Sequence, residues 1–561
     1  MSSFNAIVAA VNERLWADWM LFVLLGAGLL FTVRTGFSQW RALTHGVELL
    51  RGRFDDPTAP GAIRHFQALT AALSGTVGLG NIGGVAIAVS LGGPGAVFWM
   101  WVVGVVGMAL KLTEVTLSMI HRNVDDPANP HGGPMWVARK GFSGWGPGWE
   151  RFGRVLAVLF CVTLVVATIT GISFFQMWNV ANVTESYFGI PMTVSSVFMA
   201  TMVAIVVVGG IRRIGVVAEF LVPIMILLYL AGGSVLLVME ADRLPGVLAS
   251  IIRSAFSAHE AAGAFIGGSA GYAFLFGMKR ALYSNEAGQG SSPIVHSAAR
   301  TREPVREGIV AGLEPFIDTI VVCTFTALVI LVSGVWNRAP DARLVEVPAF
   351  VAGETAGQWT LPRTPAPALA RDPWNAGQSV YAIASADANR TTGNDLHRLN
   401  GLVTRDDDRY SIEWESIESA DRPALRDGGL WLDYVGATLT ARAFDTAWPG
   451  LGKWLVTLAC WLFAYSTMIS WIYYGEQGIV YLFGNRAAMP FRLLVCGLMA
   501  FAGTGLLRTA AELDALSTLG TGVMLWVNIP LTLLLAGQAV RAYRDYVRRL
   551  DRGEFDADRR P

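Results

Sequence analysis

LSGTVGLGNIGGVAIA, residues 73–88, has the hydropathy of a membrane-spanning helix, yet it carries glycine at 75, 78, 80, 83 and 84. Glycine weakens a helix by roughly 1 kcal/mol per residue. Backbone that unwinds at bilayer depth leaves N–H and C=O groups without partners, which is costly unless they line a cavity or hold a ligand. A span so interrupted predicts a binding site near the midplane, as broken spans supply in transporters.

Composition sets the class. Of 561 residues, 53% are hydrophobic and 15% charged, with a mean hydropathy of +0.45, as in a polytopic membrane protein. A formal net charge of +0 removes the electrostatic reason for a nucleic-acid partner. Cys161, Cys323, Cys460 and Cys496 stand singly in apolar segments and read as reduced packing residues. No basic stretch with a small-residue cleavage site precedes the first apolar segment, so that segment is expected to stay as a span.

About 20 apolar residues cross a bilayer. On that measure eleven spans fall near 17–34, 67–89, 94–120, 152–180, 190–209, 216–239, 261–279, 308–333, 454–482, 491–508 and 515–540. Arg34, Arg41, Arg51, Arg53 and Arg64 share one loop; Arg122, Arg139, Lys140, Arg151 and Arg154 share another. Arg212 and Arg213, then Lys279, Arg280, Arg300, Arg302 and Arg306, then the arginine-rich tail from Arg541 fall on the same side of that count. The positive-inside rule makes this side cytoplasmic. The expectation is a multi-pass protein of the plasma (inner) membrane, with its N-terminus outside and its C-terminus inside.

Hydropathy collapses between about Trp336 and Gly429. So long a loop with no structure of its own is unusual. QSVYAIASA (378–386) and RYSIEWESI (409–417) set β-favouring residues between turn residues. They predict a small β-rich extracytoplasmic insert, a partly disordered loop being the alternative. PRTPAPALARDP (362–373) reads as an extended linker either way. Four units follow: transporter residues 1–336, the insert 337–429, further transporter residues 430–545 and a cytoplasmic tail 546–561.

GTVGLGNIGGVA (75–86), LGGPGAVFWMWVVGVVG (91–107), GGPMW (132–136), GGIRRIG (209–215), YSNEAGQGSSPI (283–294) and FAYSTMISWIYYGE (463–476) lie in this order along the chain. Together they resemble the alanine or glycine:cation symporter family, over essentially the whole chain apart from the insert. The resemblance implies an all-α LeuT-type fold of the APC superfamily. Two inverted five-helix repeats would follow one extra helix, giving about eleven transmembrane helices. It also implies sodium-coupled uptake of small neutral amino acids. Inverted repeats hold their broken helices at matching positions. The span 67–89 is then the first core helix, and the glycine-rich AGAFIGGSAGYAF (262–274) is the expected second break.

Half-helix N-termini suit a substrate carboxylate, and half-helix C-termini expose carbonyls that suit sodium or an ammonium. The amides around Gly78, Leu79 and Gly80 are the expected carboxylate cradle, glycine permitting close approach. Carbonyls from Ser74 through Thr76 to Val77, with the Asn81 side-chain oxygen, are expected to face sodium and substrate. For Asn81 the alternative is a polar tie across a broken helix. The resemblance implies that Ser466 and Thr467 give hydroxyl ligands to sodium and that Thr467 and Trp471 wall the substrate pocket. It implies also that Phe265 and Gly268, at the second break, face them and that Gln176 contacts substrate. Taken singly, such hydroxyls also bond their own i−4 carbonyls, and such aromatics also serve as core. Crowding by Trp471 and Phe265 would leave room for a hydrogen or a methyl. Near Gln176 the chain departs from the family pattern: Ser173 and Trp178 stand where asparagines are typical, with Asn179 next along. Trp178 is large enough to reshape that wall.

Charges inside spans are functional suspects. Asp318, in FIDTIVVCT (316–324), is a candidate partner for a cation, a helix end or a proton, or else a structural anchor. Glu286, in SNEAGQG, is placed at the cytoplasmic mouth as a gate contact, and Lys111 with Glu114 reads as an i,i+3 ion pair. Seven histidines stand apart, without HExxH, GxxxxGK or GxSxG signatures, so no enzymatic chemistry is expected. The reading is a secondary active symporter working by alternating access, its partners a small amino acid, the lipid bilayer and a co-transported sodium ion. Two rivals stand beside it. One is a transporter-like sensor whose insert binds an unknown ligand or partner; the other is a proton-coupled amino acid transporter.

Overall fold

In lipid each segment must satisfy its own backbone polar groups, so apolar runs become helices. The computed structural model describes residues 11–12, 14–16, 18–258, 262–353, 355–369, 374–388, 394–406, 409–434, 436–504 and 510–555. Within them, six helices are long and apolar enough to cross a membrane: Gly95–His121, Pro147–Phe188, Gly210–Met239, Pro304–Ser333, Leu451–Phe483 and Leu519–Asp551. Two bent pairs raise the number to eight when each is taken as one span. Trp19–Arg34 and Ser38–Leu50 meet at 71°, and His65–Thr76 and Gly80–Gly92 meet at 56°. This is a multi-pass membrane protein. The expected eleven spans are not reached by this measure, because Met192–Val207, Ala270–Asn285 and Ala488–Phe501 have only 16, 16 and 14 residues. Sixteen residues rise roughly 24 Å, short of a hydrocarbon core about 30 Å thick. Residues 505–509, inside the expected span 491–508 and its following loop, lie outside the described residues.

Among the described residues, three spans carry π-helical segments, at Gly80–Gly84, Ala167–Ser173 and Phe316–Cys323. Such wide turns often mark functional sites in helical proteins. The second break is displaced from its expected position. Ser269 caps a helix, its side chain accepting from the Tyr272 N–H, and Ala270–Asn285 then runs uninterrupted through Phe274. The chain breaks only afterwards, where Glu286 (φ 53°), Gly288 (φ 85°) and Gly290 (φ 79°) turn it into the short helix Ser292–His296. Glycine content in 262–274 therefore marks the turns ahead of a helix and not its interruption.

Between the spans Pro304–Ser333 and Leu451–Phe483 the described residues form two antiparallel sheets. One has six strands, in the order Ala342–Arg343, Ala424–Leu432, Ser379–Ser385, Leu396–Asp406, Arg409–Trp414 and Thr364–Pro365. The other joins Val351–Ala352, Gln358–Thr360 and Ile417–Glu418. Tyr381, Ile383, Leu396 and Trp431 of the larger sheet share an apolar cluster with Ala264 and Ile266, so the sheet is docked on the turns that lead into Ala270–Asn285.

Candidate functional site

The first break begins where Val77 leaves the helix His65–Thr76 in an extended conformation (φ −75°, ψ 95°). The loose end is tied at once. Gly78 N–H donates to Asn81 Oδ1 at 2.8 Å, and Asn81 Nδ2 donates to Asp318 Oδ1 at 2.5 Å and to Ser284 Oγ at 3.0 Å. Ser284 Oγ and Thr319 Oγ1 donate to the other Asp318 oxygen at 2.8 and 2.9 Å. Asn81 and Asp318 are fully buried. Asp318 thus joins the first break to Ser284, the penultimate residue of the helix that precedes the second. Asn81 Oδ1 accepts from Gly78 N–H and its Nδ2 ties the break to Asp318 and Ser284, while the oxygen keeps a second lone pair.

A cavity of about 20 Å³ lies between the two breaks. That is room for one or two water molecules, so its walls have to part to admit an amino acid. Thr76, Gly78 and Gly80 line it from the first break, Glu286 and Gln289 from the second, and Gln176, Thr467 and Trp471 from the sides. A Cβ on Gly78 would stand 2.8 Å from Thr467 Oγ1, so only glycine allows this approach. Trp471 Nε1 donates to Glu286 Oε1 at 3.1 Å, and Ser291 Oγ donates to Glu286 Oε2 at 2.5 Å. Glu286 is therefore a cavity wall and not a contact at the mouth. Gln176 Oε1, Gln289 Oε1, Ser173 Oγ and Tyr474 Oη are buried with no hydrogen-bond partner. An unpaired buried polar atom costs roughly 1–3 kcal/mol, a cost that a polar ligand in the cavity relieves for Gln176 and Gln289, the two of these that line it.

A sequence signature of the sodium:alanine symporter family matches residues 1–361 and 429–559. The chain belongs to this family. The Methanococcus maripaludis sodium/alanine symporter AgcS is 33% identical over 89% of this chain and 88% of its own. An uncharacterized transporter of Haemophilus influenzae is 30% identical over 99% of each. The amino-acid carrier protein AlsT of Bacillus subtilis is 31% identical over 64% of this chain and 72% of its own. Among solved structures, the Eremococcus coleocola manganese transporter aligns with 84% of this chain and 78% of its own at 13% identity. Its TM-score of 0.45 is too low to assign a fold.

In this member of the symporter family the remaining expected residues divide into two groups. Ser74, Val77 and Ser466 gather at the end of His65–Thr76, where Ser74 Oγ donates to Ser466 O at 2.6 Å and Ser470 Oγ donates to Ala71 O at 2.8 Å. Ser466 and Thr467 hydroxyls both donate to Phe463 O at 2.9 Å. Leu79 is buried behind the cavity lining. Phe265 and Gly268 lie elsewhere. Phe265 packs edge-on against Trp336, with ring centroids 5.2 Å apart, and abuts Gly93; Gly268 faces Tyr272 and Leu91 O. Both precede Ala270–Asn285 while the break follows it, so a whole helix separates them from the cavity and the expected aromatic wall is not built.

Gly75, within the expected carbonyl run 74–77, also lines the cavity, as do Ile172, Tyr283, Gln289 and Thr521, which are not among the expected residues. Tyr283 and Gln289 were within reach, since both sit in the YSNEAGQG motif; Thr521, on the last helix, carries no local signal. Beyond the cavity runs a chain of buried charge. Lys111 Nζ lies 3.3 Å from Glu314 Oε2, Glu314 Oε1 meets His296 Nε2 at 2.7 Å, and His296 Nδ1 meets Glu307 Oε1 at 2.5 Å. The other Glu307 oxygen pairs with His65 Nδ1. Glu114 does not take Lys111 as its closest partner: it accepts from Asn528 Nδ2 at 2.8 Å and from Gly288 N–H at 3.4 Å, steadying the second break. Two histidines far apart in sequence thus share one carboxylate.

Proposed function

We propose that the protein is a secondary active symporter that carries a small neutral amino acid, alanine or glycine, into the cell together with sodium. The observation that carries this reading is the cavity at which two broken spans meet, lined by buried polar atoms that lack partners. Gly78 N–H being engaged with Asn81, the Gly80 amide at the cavity receives the substrate carboxylate, joined by the Leu79 amide once the walls part. Gln176 and Gln289 oxygens receive its ammonium group, and Thr467 with Trp471 limits its side chain. Sodium takes the carbonyls of Ser74, Thr76 and Val77 with the Ser466 and Thr467 hydroxyls. Asn81 and Asp318 hold the broken ends, and Glu286 couples Trp471 to the second break. One charge moving down 100 mV releases about 2.3 kcal/mol, enough for meaningful accumulation with one or two sodium ions.

The basic loops support a cytoplasmic C-terminus, with the N-terminus and the 337–429 insert outside. Residues 1–336 and 430–545 form the transport unit and 546–561 its tail. Alternating access then proceeds by rocking helices about the fixed site, with no covalent step. Uptake into proteoliposomes tests this directly. Alanine and glycine should accumulate on a sodium gradient and compete with each other better than larger amino acids do. Accumulation that persists when choline replaces sodium at constant pH would defeat the sodium reading. The buried Lys111–Glu314–His296–Glu307–His65 chain favours protons as the second choice of coupling ion, and substrate-evoked pH change in the same vesicles separates the two. Removing residues 340–428 separates transport from a sensor role, since uptake surviving that deletion makes the insert an accessory.

A further inference from the structure

Residues 362–428 fall outside the family signature, yet they hold the first broken span and the turns that lead into Ala270–Asn285. Arg398, on the strand Leu396–Asp406, reaches out of the sheet, and its Nη2 donates to Ser90 O and to Ala264 O, both at 3.2 Å. Ser90 stands in the last turn of Val85–Gly92, the far half of the first broken span. Ala264 stands in the turns ahead of Ala270–Asn285, the helix that leads to the second break. One guanidinium nitrogen therefore joins the corresponding ends of both. Its position is fixed from several sides. The guanidinium lies over the Tyr381 ring, 4.5 Å from the centroid, and Tyr381 Oη donates to the same Ala264 O at 3.1 Å. Asn394 Nδ2 adds a bond to Ile266 O at 2.7 Å. Behind them, Tyr381, Ile383, Leu396 and Trp431 close an apolar cluster over Ala264 and Ile266. The helix that follows the insert, Ala437–Ala447, leans on the first break as well, through a Thr440 Oγ1 bond to Ile82 O at 3.1 Å.

We propose that the insert is a clamp on outward opening and that Arg398 is its positioning residue. This rests on the transport reading and on the insert lying outside. Arg398 touches no substrate; it acts through the helix ends that it joins. A fixed site opens to one side when the elements around it part. Ends pinned together by charge-assisted bonds favour the state closed to that side. Releasing the pin raises the fraction of molecules open outward. Apparent affinity scales with the binding-competent fraction, so the external KM falls. Closure around the substrate slows at the same time, and Vmax falls with it.

The test compares wild type, R398A, R398K and Y381F in proteoliposomes under one sodium gradient. KM and Vmax for external alanine are measured. So is the rate at which a membrane-impermeant thiol reagent, added outside, labels a cysteine placed at Thr521 in each background. R398A is expected to lower the external KM about tenfold, to speed labelling by a similar factor and to reduce Vmax. R398K keeps the charge but loses the planar guanidinium over the Tyr381 ring and falls between; Y381F moves the same way by less. A merely structural residue would lower the yield of folded protein and leave KM alone. Wild-type KM and labelling rate in folded R398A overturn the proposal. Should R398A fail to fold, R398K and N394A decide by the same criterion, wild-type values in both overturning it. Absence of uptake by the wild type defeats the transport reading instead, and the labelling rates still report on the clamp.

Discussion

At the first break none of the glycines at 75, 78, 80, 83 and 84 has a positive φ, whereas the second turns on Glu286 at 53°, Gly288 at 85° and Gly290 at 79°. The first set supplies proximity. A Cβ would stand 2.9 Å from Tyr474 Oη at Gly75, 2.8 Å from Thr467 Oγ1 at Gly78 and 3.0 Å from the Ala437 nitrogen at Gly83. The second set supplies conformation, opening a loop in backbone space that other residues avoid. Glycine density therefore marks two different needs, close contact between elements and unwinding within one. The two breaks also share a fastening, since Asp318 holds Asn81 beside the one and Ser284 beside the other.

Asp318→Ala attacks what the breaks share and should have the largest effect. It strands the Ser284 and Thr319 donors, each at a cost of roughly 1–3 kcal/mol when buried, and takes from Asn81 the shortest of its acceptors. Folded yield and uptake should both collapse, and a wild-type Tm in detergent would show that the fastening is dispensable. Gly288→Ala and Gly78→Ala then set conformation against proximity. Gly288→Ala forces a side chain into a left-handed backbone, 2.5 Å from Ile529 Cδ1, and should cost about 1–3 kcal/mol of stability, seen as a lower Tm. Gly78→Ala carries no such backbone strain; its methyl meets Thr467 Oγ1 and displaces that wall, so Tm should fall by less than in Gly288→Ala while uptake falls about tenfold. Equal drops in Tm would erase the distinction.

Gln176→Ala is a smaller change, confined to the cavity. It should raise the substrate KM about fivefold, as the loss of roughly one hydrogen bond implies, with Tm unchanged; an unaltered KM would remove Gln176 from the substrate site. Smallest is Thr440→Val, which deletes the bond to Ile82 O where the helix after the insert leans on the first break. A loss of about 1 kcal/mol should appear in Tm and leave the KM for substrate unmoved.

The first break was legible because hydropathy and helix propensity are both local. A run of apolar residues studded with glycine conflicts with itself wherever it occurs. The second lies elsewhere than expected because 262–274 is similarly rich in glycine, with four in 13 residues, but has a serine, Ser269, poised to start a helix. The alternations at 378–386 and 409–417 coincide with the strands Ser379–Ser385 and Arg409–Trp414. Trp471 and Thr467 were readable as neighbours on one helix face, whereas Tyr283 and Thr521 reach the cavity only through the packing of separate helices. His65 and His296 looked unrelated for the same reason, since nothing in the spacing shows that Glu307 stands between them.

What the order of residues determined unaided is whatever depends on near neighbours: which stretches are apolar enough for lipid, where a helix weakens, and where the chain turns polar. Which atoms meet across those elements was decided by packing alone. Asn81 with Asp318, His65 with Glu307 and Arg398 with Ser90 are contacts between segments far apart in sequence. Their geometry exists only once the helices are laid against one another, because a side chain's partner is set by distance in space and not by position along the chain.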